Sequence, residues 1–221
     1  MSYITLMIFN ICRKFFTSLR YTLSSYNRDY KLDPFSTFDG KNNFESHSRV
    51  YRSTKIKNVT LGKFSYIQTH SEIANADIGA FSSIGSRVKI GGFGKHMFGV
   101  STHPAFYDIS PPTKSFYKKI PAFKPYKKIT LGNDVWVGDR CIILDGVNVG
   151  DGAIIGAGTT VSKDVPPYAI AVGNPMKIIR YRFSDDEIGF LLKEKWWERS
   201  TSDLKLIANQ MHTNKKPSET I

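Results

Sequence analysis

Two histidines in this sequence lie where an imidazole could act as a base on a substrate. His96 and His103 belong to the segment 91–128, which is rich in glycine, proline, lysine and aromatic residues. Histidine suits this role because its ordinary pKa lies near neutrality, and a general base takes the proton of an attacking hydroxyl group. Of the other three histidines, His47 precedes the repeats described below, His70 lies within one of them, and His212 belongs to a polar tail.

The cysteines and the glycine-rich stretch indicate no further chemistry. Cys12 and Cys141 are far apart and form no metal-ligand spacing, so we predict no metal site and a reducing, cytoplasmic location. The stretch GGFG at 91–94 does not join a strand to a helix, so it is not a phosphate-binding loop.

The scaffold for these histidines is indicated by an apolar period of six. This period fits neither a helix nor an isolated strand. It is typical of a chain that bends at regular intervals and stacks coil upon coil. Glycine follows four of the six apolar residues, and we expect these glycines to turn the corners because glycine tolerates the required backbone angles. The residues are Leu131, Val137, Ile143, Val149, Ile155 and Val161.

A second periodic tract precedes the first and repeats every 17 residues rather than 18. Its apolar residues are Ile56, Leu61, Ile67, Ile73, Ile78, Ile84 and Ile90. We therefore predict a mainly β fold, a parallel β-helix over residues 50–181, from which 91–128 is extruded as a long loop.

The two ends of the chain carry helical patterns. In the N-terminal segment 1–49, residues 3–23 predict an amphipathic helix that packs on the protein, with peripheral membrane contact as the alternative. In the segment 182–221, Ser184 and Glu187 form a capping box. Apolar residues then follow at helical spacing, and we expect this helix to plug or brace the end of the coils: Ile188, Leu191, Leu192 and Trp196.

The formal net charge of +12 suggests an anionic partner, although solubility alone also explains it. Six lysines of the extruded loop would suit an acidic glycan: Lys114, Lys118, Lys119, Lys124, Lys127 and Lys128. Nucleic acid is not predicted, because the sequence contains no nucleic-acid-binding motif.

Four stretches resemble hexapeptide-repeat acyltransferases. Within that family they are similar to the xenobiotic acetyltransferases, which include streptogramin and B-type chloramphenicol enzymes, and to bacterial sugar and polysaccharide O-acetyltransferases. The stretches are HMFGVSTHP (96–104), GNDVWVG (132–138), IIGAGTTVSKDVPPYAIAVGNP (154–175) and RFSDDEIGFLLKEKWW (182–197). The resemblance implies a left-handed β-helix, a homotrimer with active sites between subunits, acetyl-CoA as donor and a hydroxyl group as acceptor.

The same resemblance implies roles for individual residues. His96, five residues before Ser101, takes the place of the base, with His103 as the alternative base or, together with Tyr107, a substrate contact. Trp136 would lie near the thioester, although it could also be a coil-corner aromatic residue. Some relatives carry an aspartate three residues after the base; Gly99 stands there, so what orients His96 is open. The expected contacts to the donor are Asp139, Gly156, Ala157, Ser162 and Lys163, with Lys177 and Arg180 at its phosphates.

The sequence thus predicts an acetyl-CoA-dependent O-acetyltransferase acting on a carbohydrate, a capsular or other cell-surface polysaccharide. Two alternatives remain: an antibiotic acetyltransferase, and a non-catalytic β-helix scaffold.

Overall fold

The computed structural model describes residues 3–94, 100–108, 114–116 and 126–210, with the backbone alone given for 3–11, 13 and 14. The helices are α1 (Tyr3–Ser25), α2 (Asp185–Glu194) and α3 (Thr201–Gln210). The strands are β1 (Lys31–Leu32), β2 (Thr37–Asp39), β3 (Asn43–Phe44), β4 (Arg49–Val50), β5 (Lys55–Leu61), β6 (Tyr66–Ile67), β7 (Glu72–Ile78), β8 (Ser83–Ile84), β9 (Lys89–Ile90), β10 (Ile129–Leu131), β11 (Trp136–Val137), β12 (Ile142–Ile143), β13 (Asn148–Val149), β14 (Ile154–Ile155), β15 (Thr160–Val161), β16 (Ala169–Val172) and β17 (Lys177–Tyr181).

The strands form the three faces of a prism of about seven coils, which confirms the predicted left-handed parallel β-helix. Face 1 contains β1, β4, β6, β8, β11, β14 and β16 in parallel, and β17 closes it antiparallel to β16. Face 2 contains β2, the first halves of β5 and β7, β9, β12 and β15. Face 3 contains β3, the second halves of β5 and β7, β10 and β13.

The core consists of stacked aliphatic side chains, one from each face of each coil. All the periodic apolar residues of both tracts point inward and are at most 2% exposed, from Ile56 to Val161. Each such buried side chain stabilises the fold by about 1.5–3 kcal/mol relative to an exposed one. The apolar period in the sequence therefore arises because these residues form the core.

The four glycines that follow inward residues in the C-terminal tract do not occupy the left-handed corner positions, so that prediction is wrong. Gly132, Gly138, Gly150 and Gly156 have ordinary φ angles, but a Cβ on any of them would lie 2.5–2.8 Å from an atom of the next coil. Glycine is required there because neighbouring coils approach closely. The left-handed corner positions are held largely by other residues, among them Phe64 and Phe81.

The corner between faces 3 and 1 shows how such strained positions are supported. A non-glycine residue in the left-handed region loses about 1–2 kcal/mol. Here the aromatic rings stack from coil to coil, with centroids 4.6 Å apart between His47 and Phe64 and 5.0 Å apart between Phe64 and Phe81. Trp196 continues this column 5.1 Å from Phe81.

Helix α2 begins at the predicted capping box, with the Ser184 side chain accepting from the Glu187 N–H and the Glu187 side chain accepting from the Ser184 N–H. The helix lies along the corner between faces 3 and 1 rather than across the end of the coils, which corrects the expected position. Ten helical residues span about 15 Å, or about three coils at the spacing of neighbouring strands. This length lets Phe183 pack on Tyr168 of a late coil while Trp196 packs on Phe81 of an earlier one.

Helix α1, in the stretch where the sequence predicts a helix, packs on the first coil through Tyr21. The Tyr21 ring lies 5.0 Å from that of Phe38 and 6.2 Å from that of Phe44. Strands β1 to β3, within the segment 1–49, already belong to the stack. Within the described residues, each helix is too short or too polar to cross a lipid bilayer.

Candidate active site

The outer surface of face 1 brings several of the predicted site residues into one row. Trp136 of β11 is in register with Ile154 of β14, Ile154 with Ile170 of β16, and Ile170 with Arg180 of β17. The three residues of β11, β14 and β16 alternate with inward aliphatic residues, so their side chains face out, and Trp136 is 56% exposed. The row is therefore apolar from Trp136 to Ile170, and it ends at the positively charged Arg180.

A second row runs beside the first, without side chains over two coils. Gly138 lies next to Gly156, because the Gly138 N–H donates to the Ile155 carbonyl at 2.8 Å. Gly156 faces Val172 of β16, which is in register with Lys177 of β17. At each of these two glycines an atom of the next coil occupies the space that a Cβ would fill. We call the six residues Trp136, Ile154, Ile170, Gly156, Lys177 and Arg180 the face-1 strip.

The backbone of Gly156 is engaged within the coils. Its N–H donates to the Ala171 carbonyl at 2.9 Å, and its carbonyl accepts from the Thr159 N–H at 3.3 Å and from the Cys141 thiol at 3.1 Å. The N–H and the carbonyl of Gly156 thus both have partners within the protein, and the Val172 side chain lies where a Gly156 Cβ would stand. The neighbouring Ala157 is exposed.

The thiol of Cys141 is buried beside Gly156, to whose carbonyl it donates. Burial raises its pKa, despite opposing hydrogen bonds from the backbone. A thiol rather than a thiolate stands there at neutral pH, so Cys141 is poorly suited to act as a nucleophile.

Three further predicted donor contacts lie outside the face-1 strip. Asp139, at the corner between faces 1 and 2, joins two coils because its Oδ1 accepts from the Ser86 N–H at 2.8 Å. Ser162 and Lys163 follow β15 at the far edge of face 2, and both are exposed. The structure thus separates these two residues from Trp136 by the width of a face.

His96 lies outside the described residues, as do Lys118, Lys119 and Lys124 of the loop. His103 is the N-cap of a 3-10 turn at Pro104–Phe106, where its Nδ1 accepts from the Ala105 N–H at 3.2 Å. In the neutral ring Nε2 therefore carries the proton and is a donor.

Tyr107 closes the same turn. Its hydroxyl donates to the Thr102 carbonyl at 3.2 Å, which holds the phenol against the backbone of the loop. His103 and Tyr107 thus lie together on one short ordered turn of the extruded loop.

A cleft of about 800 Å³ lies at the corner between faces 2 and 3, where the extruded loop leaves the coils. Gly92, at the start of the loop, forms part of its wall. The other walls provide amide, ammonium and phenol groups, from Lys41, Lys57, Asn58, Asn75, Tyr126 and Lys128. Lys57 and Lys128 are paired with Asp39 and Asp77, so these two ammonium groups are largely compensated.

The sequence analysis missed Ile154 and Ile170. Each stands beside an inward aliphatic residue, and the period of six places it on the outer surface, where an apolar residue is a signal for binding. Among the described residues, no three histidine, cysteine, aspartate or glutamate side chains lie close enough together to hold a metal ion.

A three-sided parallel β-helix with an extruded loop defines a class of proteins, and comparison with known proteins agrees with it. The family model "Bacterial transferase hexapeptide (six repeats)" matches residues 128–163. The chain is 38% identical over 187 residues to a chloramphenicol acetyltransferase of Agrobacterium fabrum, covering 75% of this chain and 88% of that protein. It is 40% identical over 136 residues to a probable macrolide acetyltransferase of Lysinibacillus sphaericus, covering 58% and 71%.

Among solved structures, the chain is similar to a variant of AntD, an N-acyltransferase from Bacillus cereus, in complex with dTDP and coenzyme A. The TM-score is 0.56 at 20% identity, covering 80% of this chain and 94% of that one. This likeness supports the fold. The chain belongs to the hexapeptide-repeat acyltransferases, and it is an acetyltransferase enzyme.

Proposed function

We propose that the protein transfers the acetyl group of acetyl-CoA to a hydroxyl of a carbohydrate, with His96 as general base. The acceptor we infer is a capsular or other cell-surface polysaccharide, or a precursor of one, modified in the cytoplasm. The observation that carries this proposal is the polar cleft at the root of the loop that contains His96.

The face-1 strip supports acetyl-CoA as the donor. An extended pantetheine arm can lie along the outward row of Trp136, Ile154 and Ile170, because its methylene groups gain from apolar contact. The phosphates of the donor are multiply charged, and Lys177 and Arg180 stand at the end of the strip to bind them. Both side chains are exposed.

The positions of strip and loop support a site shared between copies of the chain. The strip lies on face 1, whereas the loop leaves the corner between faces 2 and 3, on the opposite side of the prism. We infer that a donor on the strip meets the loop of a second copy. The homotrimer predicted by family resemblance satisfies this geometry, with one site at each interface.

The chemistry requires no covalent intermediate. The acceptor hydroxyl attacks the thioester carbonyl while the His96 imidazole takes its proton. The tetrahedral intermediate then collapses, the carbon–sulfur bond breaks, and the coenzyme A sulfur takes the proton back from the imidazolium. His103 is less suited to be the base because its Nδ1 already accepts a hydrogen bond. Its Nε2–H and Tyr107 instead face the acceptor as polar contacts.

The cleft favours a polyhydroxylated acceptor. Asn58, Asn75 and Lys41 offer hydrogen-bonding groups, and Tyr126 offers a ring on which a sugar can stack. Because Lys57 and Lys128 are paired with carboxylates, we expect neutral and acidic sugars to bind there alike.

An antibiotic hydroxyl is the second candidate acceptor. It is favoured by the relatives at 34–40% identity, which are named chloramphenicol or macrolide acetyltransferases. The cleft argues for sugars and the relatives argue for antibiotics, so the two candidates need a direct comparison.

The test is an acetyl-transfer screen in which purified capsular oligosaccharides, simple glycosides, chloramphenicol and a macrolide compete as acceptors. We expect kcat/KM to be highest for a carbohydrate. Replacing His96 by Asn should lower kcat by roughly 10²- to 10⁴-fold, as loss of a general base does. The matched control is His70→Asn, a change at an exposed coil corner, which should leave kcat unchanged. Higher kcat/KM for the antibiotics would overturn the acceptor, and full activity of H96N would overturn the base.

A further inference from the structure

The extruded loop begins around a buried carboxylate. Asp145, on the coil after the loop, is 4% exposed. Its Oδ1 accepts from the Gly92 N–H at 3.3 Å, and its Oδ2 accepts from the Phe93 N–H at 2.9 Å and the Gly94 N–H at 3.1 Å. Three successive backbone N–H groups thus converge on one side chain that lies 51 to 53 positions later in the chain.

The backbone of this stretch is shaped for that contact. Gly91, Gly92 and Gly94 have φ angles of +67°, +76° and +67°, a region that glycine adopts without the steric penalty of a side chain. Successive N–H groups in such a conformation form a concave anion site, or nest. At Gly91 a Cβ would also lie 2.5 Å from the Ala74 carbonyl oxygen. The GGFG stretch therefore binds an anion, but the anion belongs to the protein itself.

The returning end of the loop rests on the same corner. A Cβ at Gly146, the residue after Asp145, would lie 3.0 Å from the Cβ of Lys127. Lys128 pairs with Asp77 just before β10 begins. Asp145 and its neighbour thus contact both ends of the insertion.

We propose that Asp145 is a positioning residue for the transferase reaction. By holding the N–H groups of Gly92 to Gly94, it sets the direction in which the chain leaves the coil, and so the place of His96, two residues after Gly94. This inference rests on the proposed role of His96. A general base must lie within hydrogen-bond reach of its proton, and a displacement of about 1 Å can lower a rate roughly 100-fold.

The first measurement is hydrogen exchange, followed by mass spectrometry, of a peptide covering Gly91 to Gly94. Replacing Asp145 by Ala removes all three acceptor contacts, so these amides should exchange faster. Asp145→Asn keeps one acceptor oxygen and should exchange at an intermediate rate. The matched control is Asp151→Asn, because the Asp151 carboxylate also joins two coils, accepting from the Asn133 N–H at 2.7 Å, but does not touch the loop. Unchanged exchange in D145A would overturn the inference.

The second measurement is thiol release from acetyl-CoA, with water as acceptor, beside the dissociation constant of coenzyme A. We expect D145A to lower the rate roughly tenfold or more, D145N to lower it less, and D151N to leave it unchanged. Coenzyme A affinity should change less than about twofold in all three, because the face-1 strip is untouched.

A double variant separates positioning from general loosening. If Asp145 acts through His96, then D145A in the H96N background should cause no further loss of rate. Additive losses, or a fall in coenzyme A affinity that matches the fall in rate, would overturn the positioning role. An unaltered rate in H96N would reject the proposed base and with it the catalytic part of this inference, while the exchange data would still decide whether Asp145 holds the loop.

Discussion

The corner between faces 2 and 3 is built differently on the two coils just before the extruded loop and on the coil just after it. On the coils that contain Asn58 and Asn75, a single left-handed asparagine turns the corner, and the Asn58 side-chain N–H donates to the Asn75 side-chain oxygen at 3.1 Å. On the coil after the loop, the chain uses one residue more, so that inward residues are six apart from Ile143 to Val149 rather than five apart from Ile73 to Ile78. Asp145 lies in this longer corner.

The two forms of this corner use their side chains differently. In the shorter form the two asparagine side chains bond to each other along the stack. In the longer form Gly146 takes the left-handed position, with a φ angle of +80°, and the carboxylate of Asp145 binds the start of the loop.

The largest effect on stability should come from the glycine at the root of the loop. Gly91→Ala meets both a left-handed φ and the Ala74 carbonyl oxygen, and we expect the free energy of unfolding to fall by about 2–5 kcal/mol. Gly158 has a similar φ of +73° but nothing within 4 Å of a Cβ. The control Gly158→Ala should therefore lose only the dihedral penalty, about 1–2 kcal/mol. Denaturant unfolding measures both, and equal losses would show that close approach at the loop root is unimportant.

An intermediate effect on stability is expected at the hydrogen-bonded pair of corner asparagines, Asn58 and Asn75. Asn75→Ala removes the bond from Asn58 and places alanine in the left-handed region, which should lower the free energy of unfolding by about 1–2 kcal/mol. Asn75→Gly removes the same bond without the dihedral penalty and should lose about half as much. Thermal unfolding of the two variants compares their stabilities. A larger loss for the glycine variant would show that the left-handed backbone angle at position 75 does not penalise alanine.

The smallest effect belongs to the exposed ion pairs on face 2, where Glu72 lies between Lys55 and Lys89. The hydrogen bond from Lys55 lowers the pKa of Glu72. A lowered carboxyl pKa stabilises the folded state above the ordinary pKa of about 4.5, and this stabilisation is lost as the pH falls through the lowered value.

We expect Glu72→Gln to change stability at pH 7 by at most about 1 kcal/mol, because exposed pairs are screened by solvent. Its stability should also fall less than that of the wild type when the pH is lowered. Unfolding measured from pH 7 to pH 3 at low and high salt tests this, and a loss that persists in high salt would point to packing rather than charge.

The repeat could be predicted from the sequence because the inward positions are occupied by aliphatic residues at regular intervals. A buried aliphatic column tolerates little besides aliphatic residues, so Ile67, Ile84 and Ile155 reveal the coils without any knowledge of their neighbours. The capping box at Ser184 was equally local, since its two hydrogen bonds join residues three apart. The donor residues Trp136, Lys177 and Arg180 were named from family resemblance.

Other features depended on partners distant in the chain. Glycines that follow inward residues in the late coils face atoms of the next coil, which no local rule of backbone angle reveals. The early corners use phenylalanine and asparagine in the left-handed region. Helix α2 was predicted, but its position along the aromatic corner depends on Phe81, more than 100 residues before it.

What the amino-acid sequence determined by itself is the inside of this protein, because burial restricts residue types at every sixth position. What only the tertiary structure decided is which outer residues meet: the face-1 strip, the cleft on the opposite corner, and the carboxylate of Asp145 beneath the loop. Outer positions tolerate many side chains, so their pairings are set by the stacking of coils and not by any pattern along the chain.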